Sequence, residues 1–360
     1  MVLMKIIAFT KYDRMGASSR VRFHHLIPLL SAKGCEITIV PLLSNDVLKK
    51  LYISGRHDYR TIISATFLRL RKWLIRGSFQ IIWVEKELFF GQPTVLEKLL
   101  FGAEIENTIF DFDDGVYLNY KDIWLGPFGR RAKFGYYARK AGFITVGSEA
   151  IGSEMQSLGC RRIAKVPSTV CVGSYSIHQH LALSTVIVGW IGTPKTVRFL
   201  DALRDVLPVV AKRCPFKMHV VGAEWDCRGV DVLSLPWSED TETAMVGRFD
   251  IGLMPLIDGP WERAKCGYKL IQYMAAGVVP IGARIGENEV IIQDGVNGYL
   301  ASEPEEWIKK LLILCGNHQL RSAVGARARE TVLAKYDVRI AADAVHEVFT
   351  QVVNRQTRSA

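Results

Sequence analysis

Short runs of apolar, β-branched residues alternate with segments of helical period along the chain, and the series runs through twice. Met4–Phe9, Glu36–Pro41, Gln80–Val84, Thr108–Phe112 and Phe143–Val146 read as buried strands, with Ser18–Ala32 and Pro93–Phe101 among the helices between them. The series restarts with Thr185–Ile191, Phe216–Val221, Val230–Leu235, Asp250–Pro255 and Val278–Gly282, interleaved with Asp201–Arg213, Lys269–Ala276 and Pro304–Cys315. Strands apolar on both faces that alternate with helices belong to parallel sheets covered on both sides. Two such series in 360 residues predict two doubly wound α/β domains of ordinary size. Pro167–Leu183 is rich in Ser, Thr and His and has neither period, so it reads as a linker. The expected division is 1–170, a linker at 171–184, and 185–337, followed by a last helix near Val338–Val353.

Bulk chemistry narrows the class. Hydrophobic residues make up 49% and charged residues 23%, a globular balance with material for a core. The seven cysteines form no CxxC pair, which excludes a zinc cage or disulfide framework and suits a reducing compartment. No leader pattern stands at the start and no apolar run reaches the roughly 18–20 residues of a membrane span, so a cytoplasmic protein is expected. The net charge of +10 fits nucleic acid, anionic lipid or a polyphosphate ligand equally. Its densest stretch is Phe67–Arg76, where Arg69, Arg71, Lys72 and Arg76 alternate with Leu68, Leu70, Trp73, Leu74 and Ile75. As a helix this stretch is basic and amphipathic, the pattern of peripheral contact with the inner face of a membrane; an ordinary surface helix is the plainer alternative.

Ligands of doubly wound sheets sit beyond the carboxyl ends of the strands, where strand order reverses. At the first strand's end lies Lys11-Tyr12-Asp13-Arg14-Met15-Gly16-Ala17-Ser18-Ser19-Arg20, a polar loop that lets a ligand approach the backbone. It lacks the GxGxxG spacing, so no bound nicotinamide cofactor is expected. Gly16, Ser18, Ser19 and Arg20 are its candidate contacts. Glu85-Lys86-Glu87 and Asp113-Asp114-Gly115 follow two further strands, and Glu85, Glu87, Asp113 and Asp114 are candidates for binding sugar hydroxyls or moving a proton. Asp111, inside an apolar run, reads as structural. In the second half, Gly192 permits a tight bend, Thr193 reaches phosphate, and Lys195 and Arg198 can neutralise a diphosphate. Most informative is Lys265-Cys266-Gly267-Tyr268-Lys269-Leu270-Ile271-Gln272-Tyr273-Met274-Ala275-Ala276-Gly277-Val278-Val279-Pro280. A glycine turn opens a helix flanked by two lysines, which favours a phosphate. Gln272, three residues after Lys269, is placed to reach a ribose hydroxyl.

This stretch, with Gly286-Glu287-Asn288-Glu289-Val290-Ile291 and Asp294-Gly295-Val296-Asn297-Gly298-Tyr299-Leu300, resembles the donor-binding half of retaining glycosyltransferase family 4. The resemblance covers residues 185–335 well and the amino half more loosely. It implies a GT-B fold, two Rossmann-like domains facing across a cleft, with helix 338–360 completing the first. It further implies transfer from a nucleoside-diphosphate sugar to an acceptor hydroxyl with retention, without metal or resident cofactor. The acceptor classes are a glycan, a lipid-linked glycan or a small molecule. By resemblance Thr193, Lys195, Lys265 and Lys269 hold the diphosphate, with Gly192, Gly267, Tyr268 and Gln272 beside them. Asp113, Lys195 and Lys269 are the expected catalytic groups. Two departures from the family stand out: Ala264 and Gln272 occupy positions where glutamates are common, and Asp113 one where a histidine is common. Glu262 is the neighbour able to take over the lost carboxylate. The rival readings are a GT-B-fold sugar-nucleotide epimerase, a nicotinamide oxidoreductase, and a non-catalytic polyanion-binding protein. No RNA-binding signature is present, so no nucleic acid partner is expected.

Overall fold

The computed structural model describes residues 3–54, 59–75, 77–120, 131–182 and 185–359. Arg76 and the end of the expected linker, residues 183–184, lie outside them. The chain divides into two compact units, Met1–Ser168 with Val338–Ala360, and Thr169–Asp337.

The first unit is built on six strands, β1 (Met4–Tyr12), β2 (Cys35–Leu43), β3 (Ile81–Glu85), β4 (Thr108–Phe112), β5 (Phe143–Val146) and β6 (Ile163–Lys165). They form one sheet in the order β2-β1-β3-β4-β5-β6, with every pair parallel. Strand order reverses between β1 and β3. β3, β4 and β5 are buried at every residue, which explains their unbroken apolar sequence. The final helix, Val338–Ser359, lays Val345, Val348, Phe349 and Val352 into this unit's core. Phe349 meets Trp83 edge-on at 5.3 Å, and each such side chain stabilises the unit by about 1.5–3 kcal/mol.

The second unit repeats the plan with β7 (Val186–Ile191), β8 (Phe216–Val221), β9 (Asp231–Leu235), β10 (Ile251–Met254), β11 (Val279–Ala283) and β12 (Tyr299–Ala301). Their order is β12-β11-β10-β7-β8-β9, all parallel, and it reverses between β7 and β10. Two parallel six-stranded sheets make the α/β, doubly wound architecture that the sequence predicts.

Several details differ from the sequence reading. The helix expected over Ser18–Ala32 is three pieces: a short helix at Ala17–Ser19, a π-turn at Arg20–His24 and a helix at Ile27–Ala32. Arg20 and Arg22 are buried in the π-turn. Arg22 donates to both oxygens of Asp111 at 2.8 and 2.6 Å, so the widened turn lets a guanidinium reach the sheet. Asp201–Arg213 splits into a 3-10 segment, Val197–Leu203, and a helix, Leu207–Arg213, that begins beside Pro208. The supposed linker is held to the second unit. Val170 bridges to Asp337, and His178 N donates to Ala276 O at 2.8 Å. Within the basic stretch, Arg69 points inward and donates to Leu88 O at 3.1 Å, Val40 O at 2.9 Å and Thr10 O. Burial draws its pKa down to about 9.

Candidate functional site

In the second unit the elements meeting at the β7/β10 reversal gather most of the predicted donor residues. β7 ends at Ile191, and the chain turns through Gly192, whose N–H donates to Val221 O at 3.0 Å. A Cβ at Gly192 would lie 2.4 Å from the Trp190 ring, so this turn takes glycine only. Thr193 N donates to Thr196 Oγ1 at 3.1 Å and fixes the turn. Lys195 stands exposed on it. Arg198 Nη2 comes within 3.9 Å of Glu262 Oε1, which joins this turn to the segment before the lysine-bearing helix.

That helix is Tyr268–Ala275, headed by Gly267 at φ 65°, the left-handed region that glycine adopts without strain. Lys265 Nζ lies 5.9 Å from the Phe199 ring centroid and Lys269 Nζ 5.3 Å from that of Trp190. Trp190 at the end of β7 and Phe199 in the 3-10 segment after the turn thus lie beside the two lysines at the helix's amino end. The first N–H groups of a helix carry no intrahelical partner and present partial positive charge. Gly192, Thr193, Lys195, Lys265, Gly267 and Lys269 are therefore grouped at one strand-end position, with the half-buried Tyr268 alongside. Cations beside the amino end of a helix make an arrangement whose electrostatics favour a phosphate.

Gln272 does not stand with them. It is buried, and its Nε2 donates to Glu242 Oε1 at 2.7 Å and, more weakly, to Tyr175 OH at 3.4 Å. The i,i+3 spacing from Lys269 is real, but residues Leu270–Ala275 of this helix are all buried, so the position faces the fold's interior.

In the first unit the ends of β1, β3 and β4 bring Ser18, Lys86, Asp113 and Asp114 together. Lys86 Nζ is 2.7 Å from Asp113 Oδ1, 3.0 Å from Ser18 Oγ and 3.6 Å from Asp114 Oδ2. Ser18 Oγ donates to Asp113 Oδ2. Lys86 has φ 63°, the one non-glycine positive φ among the described residues. Such strain persists where the surroundings over-determine it. Burial lowers the Lys86 pKa, but Asp113, Asp114 and Glu85 outweigh it and the ammonium is held well above its usual range. Burial would raise the Asp113 carboxyl; Lys86 and Ser18 outweigh it and keep it below the ordinary carboxylate range. Asp113 is thus a fixed anion, suited to accept hydrogen bonds from hydroxyls and poor at taking a proton near neutral pH.

The two glutamates that the sequence offered with these groups are structural. Glu85 Oε2 accepts from Lys11 N at 2.7 Å and from Ser19 Oγ at 2.6 Å, so Ser19 too is spent inside the unit. Glu87 accepts from Lys133 Nζ at 2.5 Å and Tyr120 OH at 2.6 Å, with 1% exposure. Gly16 N closes the loop onto Asp13 O at 3.0 Å, and Arg20 is buried in the π-turn. The group that sequence reasoning missed is Lys86. Strand alternation assigns its neighbours to one face, and only the left-handed backbone turns Lys86 toward Asp113.

Comparison with known proteins agrees with this geometry. The family model described as Glycosyl transferases group 1 matches residues 183–317, a span that contains the lysine-bearing helix and the turn after β7. No curated protein matches the chain in sequence. Among solved structures, Anabaena HepE in complex with UDP and glucose aligns with TM-score 0.69 and 14% identity over 96% of this chain and 99% of its own. Sucrose-phosphate synthase from Thermosynechococcus elongatus aligns with TM-score 0.71 and 11% identity over 98% of this chain and 100% of its own. WaaG, a glycosyltransferase involved in lipopolysaccharide biosynthesis, aligns with TM-score 0.63 and 12% identity over 96% and 100%. The architecture is therefore that of the GT-B glycosyltransferase structures.

Proposed function

We propose that this chain transfers a sugar from a nucleoside diphosphate to an acceptor hydroxyl, with retention at the anomeric carbon. The observation that carries the reading is the pairing of Lys265 and Lys269 with the Gly267-headed helix at the β7/β10 reversal. Those cations and helix N–H groups neutralise the leaving diphosphate, the largest charge change in the reaction. With Lys195 and Arg198 nearby, the donor needs no metal. Asp113, held by Lys86 and Ser18, orients a hydroxyl of the transferred sugar or the acceptor. No enzymic nucleophile is invoked; attack proceeds on the face the diphosphate leaves, and the departing phosphate takes the proton. The acceptor we favour belongs to a glycan or a lipid-linked glycan, in glycan assembly. HepE was crystallised with UDP and glucose, so UDP-glucose is the first donor to test.

The test is a melting panel of UDP-, GDP- and dTDP-sugars. One nucleotide series at 100 times its Kd should stabilise the chain by about 2.7 kcal/mol. A flat response across the panel would sink the reading. Products analysed without acceptor separate transfer from epimerisation: an epimerase converts the sugar nucleotide alone.

We also propose that the first unit rests on an anionic membrane surface through the helix Tyr59–Leu74. Among the described residues no helix is long and apolar enough to cross a membrane, so this contact is interfacial. Among the described residues, five of the fourteen exposed large apolar residues cluster here: Ile63, Phe67, Leu68, Leu74 and Ile75. Arg60, Arg71 and Lys72 stand exposed among them, and residues 59–84 contain no acidic residue. An apolar stripe edged only by cations fits headgroups and acyl chains of an anionic lipid surface. Full-length protein should sediment with vesicles containing phosphatidylglycerol and stay in solution with phosphatidylcholine alone. The double variant Arg71→Gln, Lys72→Gln should weaken binding about 30-fold, at about 1 kcal/mol per cation. Equal binding of both proteins, or none by either, would overturn the contact.

A further inference from the structure

His178 and His180 lie on the irregular stretch after Thr169, and Asp250 immediately precedes β10. His178 Nδ1 is 2.8 Å from Gly247 O, and its Nε2 is 3.1 Å from Asp250 Oδ1. His180 repeats the arrangement with its nitrogens exchanged: Nε2 is 3.0 Å from Gly277 O and Nδ1 is 3.1 Å from the same Asp250 Oδ1. A backbone carbonyl only accepts, so each outer nitrogen carries the hydrogen. A neutral imidazole has one N–H. Both inner nitrogens then aim lone pairs at a carboxylate oxygen, in a place where His180 and Asp250 are 2% and 4% exposed. Exchanging the tautomers only moves the conflict to the carbonyls. Positive charge is required where the three atoms converge.

Two protons could supply it, one on each ring, with Arg321 Nε 3.3 Å from the same Oδ1. One divalent ion carries the same formal charge and delivers it through coordinate bonds to all three atoms. The geometry fits that alternative. The three ligand atoms lie within 4.8 Å of one another. The edge of a tetrahedron with 2.0–2.1 Å bonds is about 3.3 Å, close to the nitrogen–oxygen separations here. Each ring donates its other N–H to a backbone carbonyl, the outer-shell arrangement that fixes the tautomer of a ligating histidine. Ile187 N donates to Asp250 Oδ2 at 2.9 Å and turns Oδ1 toward the rings. The Arg321 guanidinium stands beside the same carboxylate as its ion-pair partner.

We propose that His178 Nε2, His180 Nδ1 and Asp250 Oδ1 bind one divalent transition ion of the zinc class, with water as the fourth ligand. His178, 14% exposed, leaves a way in for ion and water. The ion ties the stretch after Thr169 to the Gly247 turn and to Gly277, where the helix Tyr268–Ala275 passes into β11. Its role is structural, and it stands independently of the sugar-transfer reading.

The test uses the full chain, stripped with a chelator and titrated with zinc sulfate, and separately with cobalt(II). Zinc should bind at roughly one ion per chain and raise the melting temperature by about 5–10 °C. Cobalt(II) should give the strong visible bands of a four-coordinate site. The double variant His178→Gln, His180→Gln should lose both the stoichiometric zinc and the melting shift. If that variant fails to fold, the wild-type cobalt spectrum and zinc stoichiometry decide the matter alone. Metal-free protein that melts identically with and without zinc would overturn the site. So would a folded double variant that binds zinc as well as the wild type.

Discussion

Replacing Lys269 with alanine lowers turnover of the sugar transfer by about 10²–10³-fold and shifts melting by no more than about 4 °C. The asymmetry follows from where the side chain sits. It is half-buried, with Nζ 5.3 Å from the Trp190 centroid, so its folded-state contribution includes the packing of its stem and a cation–π contact. Such a contact is worth about 0.5–1 kcal/mol at a partly exposed position. Its catalytic contribution is larger because negative charge grows on the leaving diphosphate as the glycosidic bond breaks. A cation already in place at the helix start stabilises that growth without reorganising. The loss should fall on kcat more than on KM, since the transition state carries more charge on the phosphate than bound donor does. Lys212→Ala is the control: Lys212 is exposed on the helix Leu207–Arg213 and should leave turnover unchanged. Wild-type kcat in the Lys269 variant would remove the residue from the mechanism and, with it, the main support for transfer.

Which of these features a reader of the sequence can reach depends on how local their physics is. The strands were legible because burial on both faces leaves a continuous apolar run, as in Thr108–Phe112, which the structure reproduces residue for residue. β6 and β12 have three residues each, too few to carry a period, and exist only because a neighbouring strand offers an edge. The glycine-headed helix start with its two lysines was legible because its parts are contiguous: Gly267 supplies the positive φ, and Lys265 and Lys269 flank it within one turn of chain. The first unit's cluster was half legible. Asp113 and Asp114 follow a strand and were found, but Lys86 depends on a left-handed backbone that no residue type announces. Gln272 failed for another reason. Periodicity gives the angle of a side chain around its helix, while depth is set by what packs against it, and this helix packs against β10, β11 and the helix His318–Lys335. The same limit hid the inward turn of Arg69 from a stretch that is otherwise exposed.

Replacing Lys133 with methionine destabilises the first unit by about 3–5 kcal/mol at pH 8, and by much less at pH 5. Lys133 is fully buried in the helix Ala132–Lys140 and faces two carboxylates, Glu87 Oε2 at 2.5 Å and Glu97 Oε1 at 3.6 Å. One ammonium between two acids leaves the cluster formally short of positive charge. Glu97 shows the consequence: burial first, and the Glu87 charge second, outweigh Lys133 and push its carboxyl up to about 7. In the wild type, then, the folded state holds a proton on Glu97 between about pH 4.5 and 7 that the unfolded chain has released. Stability from this group is full below pH 4.5 and is lost as pH rises through 7, a change of about 3 kcal/mol. Methionine fills the volume of the lysine stem but removes the ammonium that lies between the two acids. The protonated form of Glu97 becomes more favoured still, so the deficit grows with pH and extends above 7. Urea unfolding of both proteins at pH 5 and pH 8 measures it. Glu97→Gln is the companion variant: it removes the titrating group, so the wild-type slope between pH 4.5 and 7 should flatten. A Lys133 variant whose deficit is the same at both pH values would show that the lysine packs without neutralising its neighbours, and the charge argument would fall.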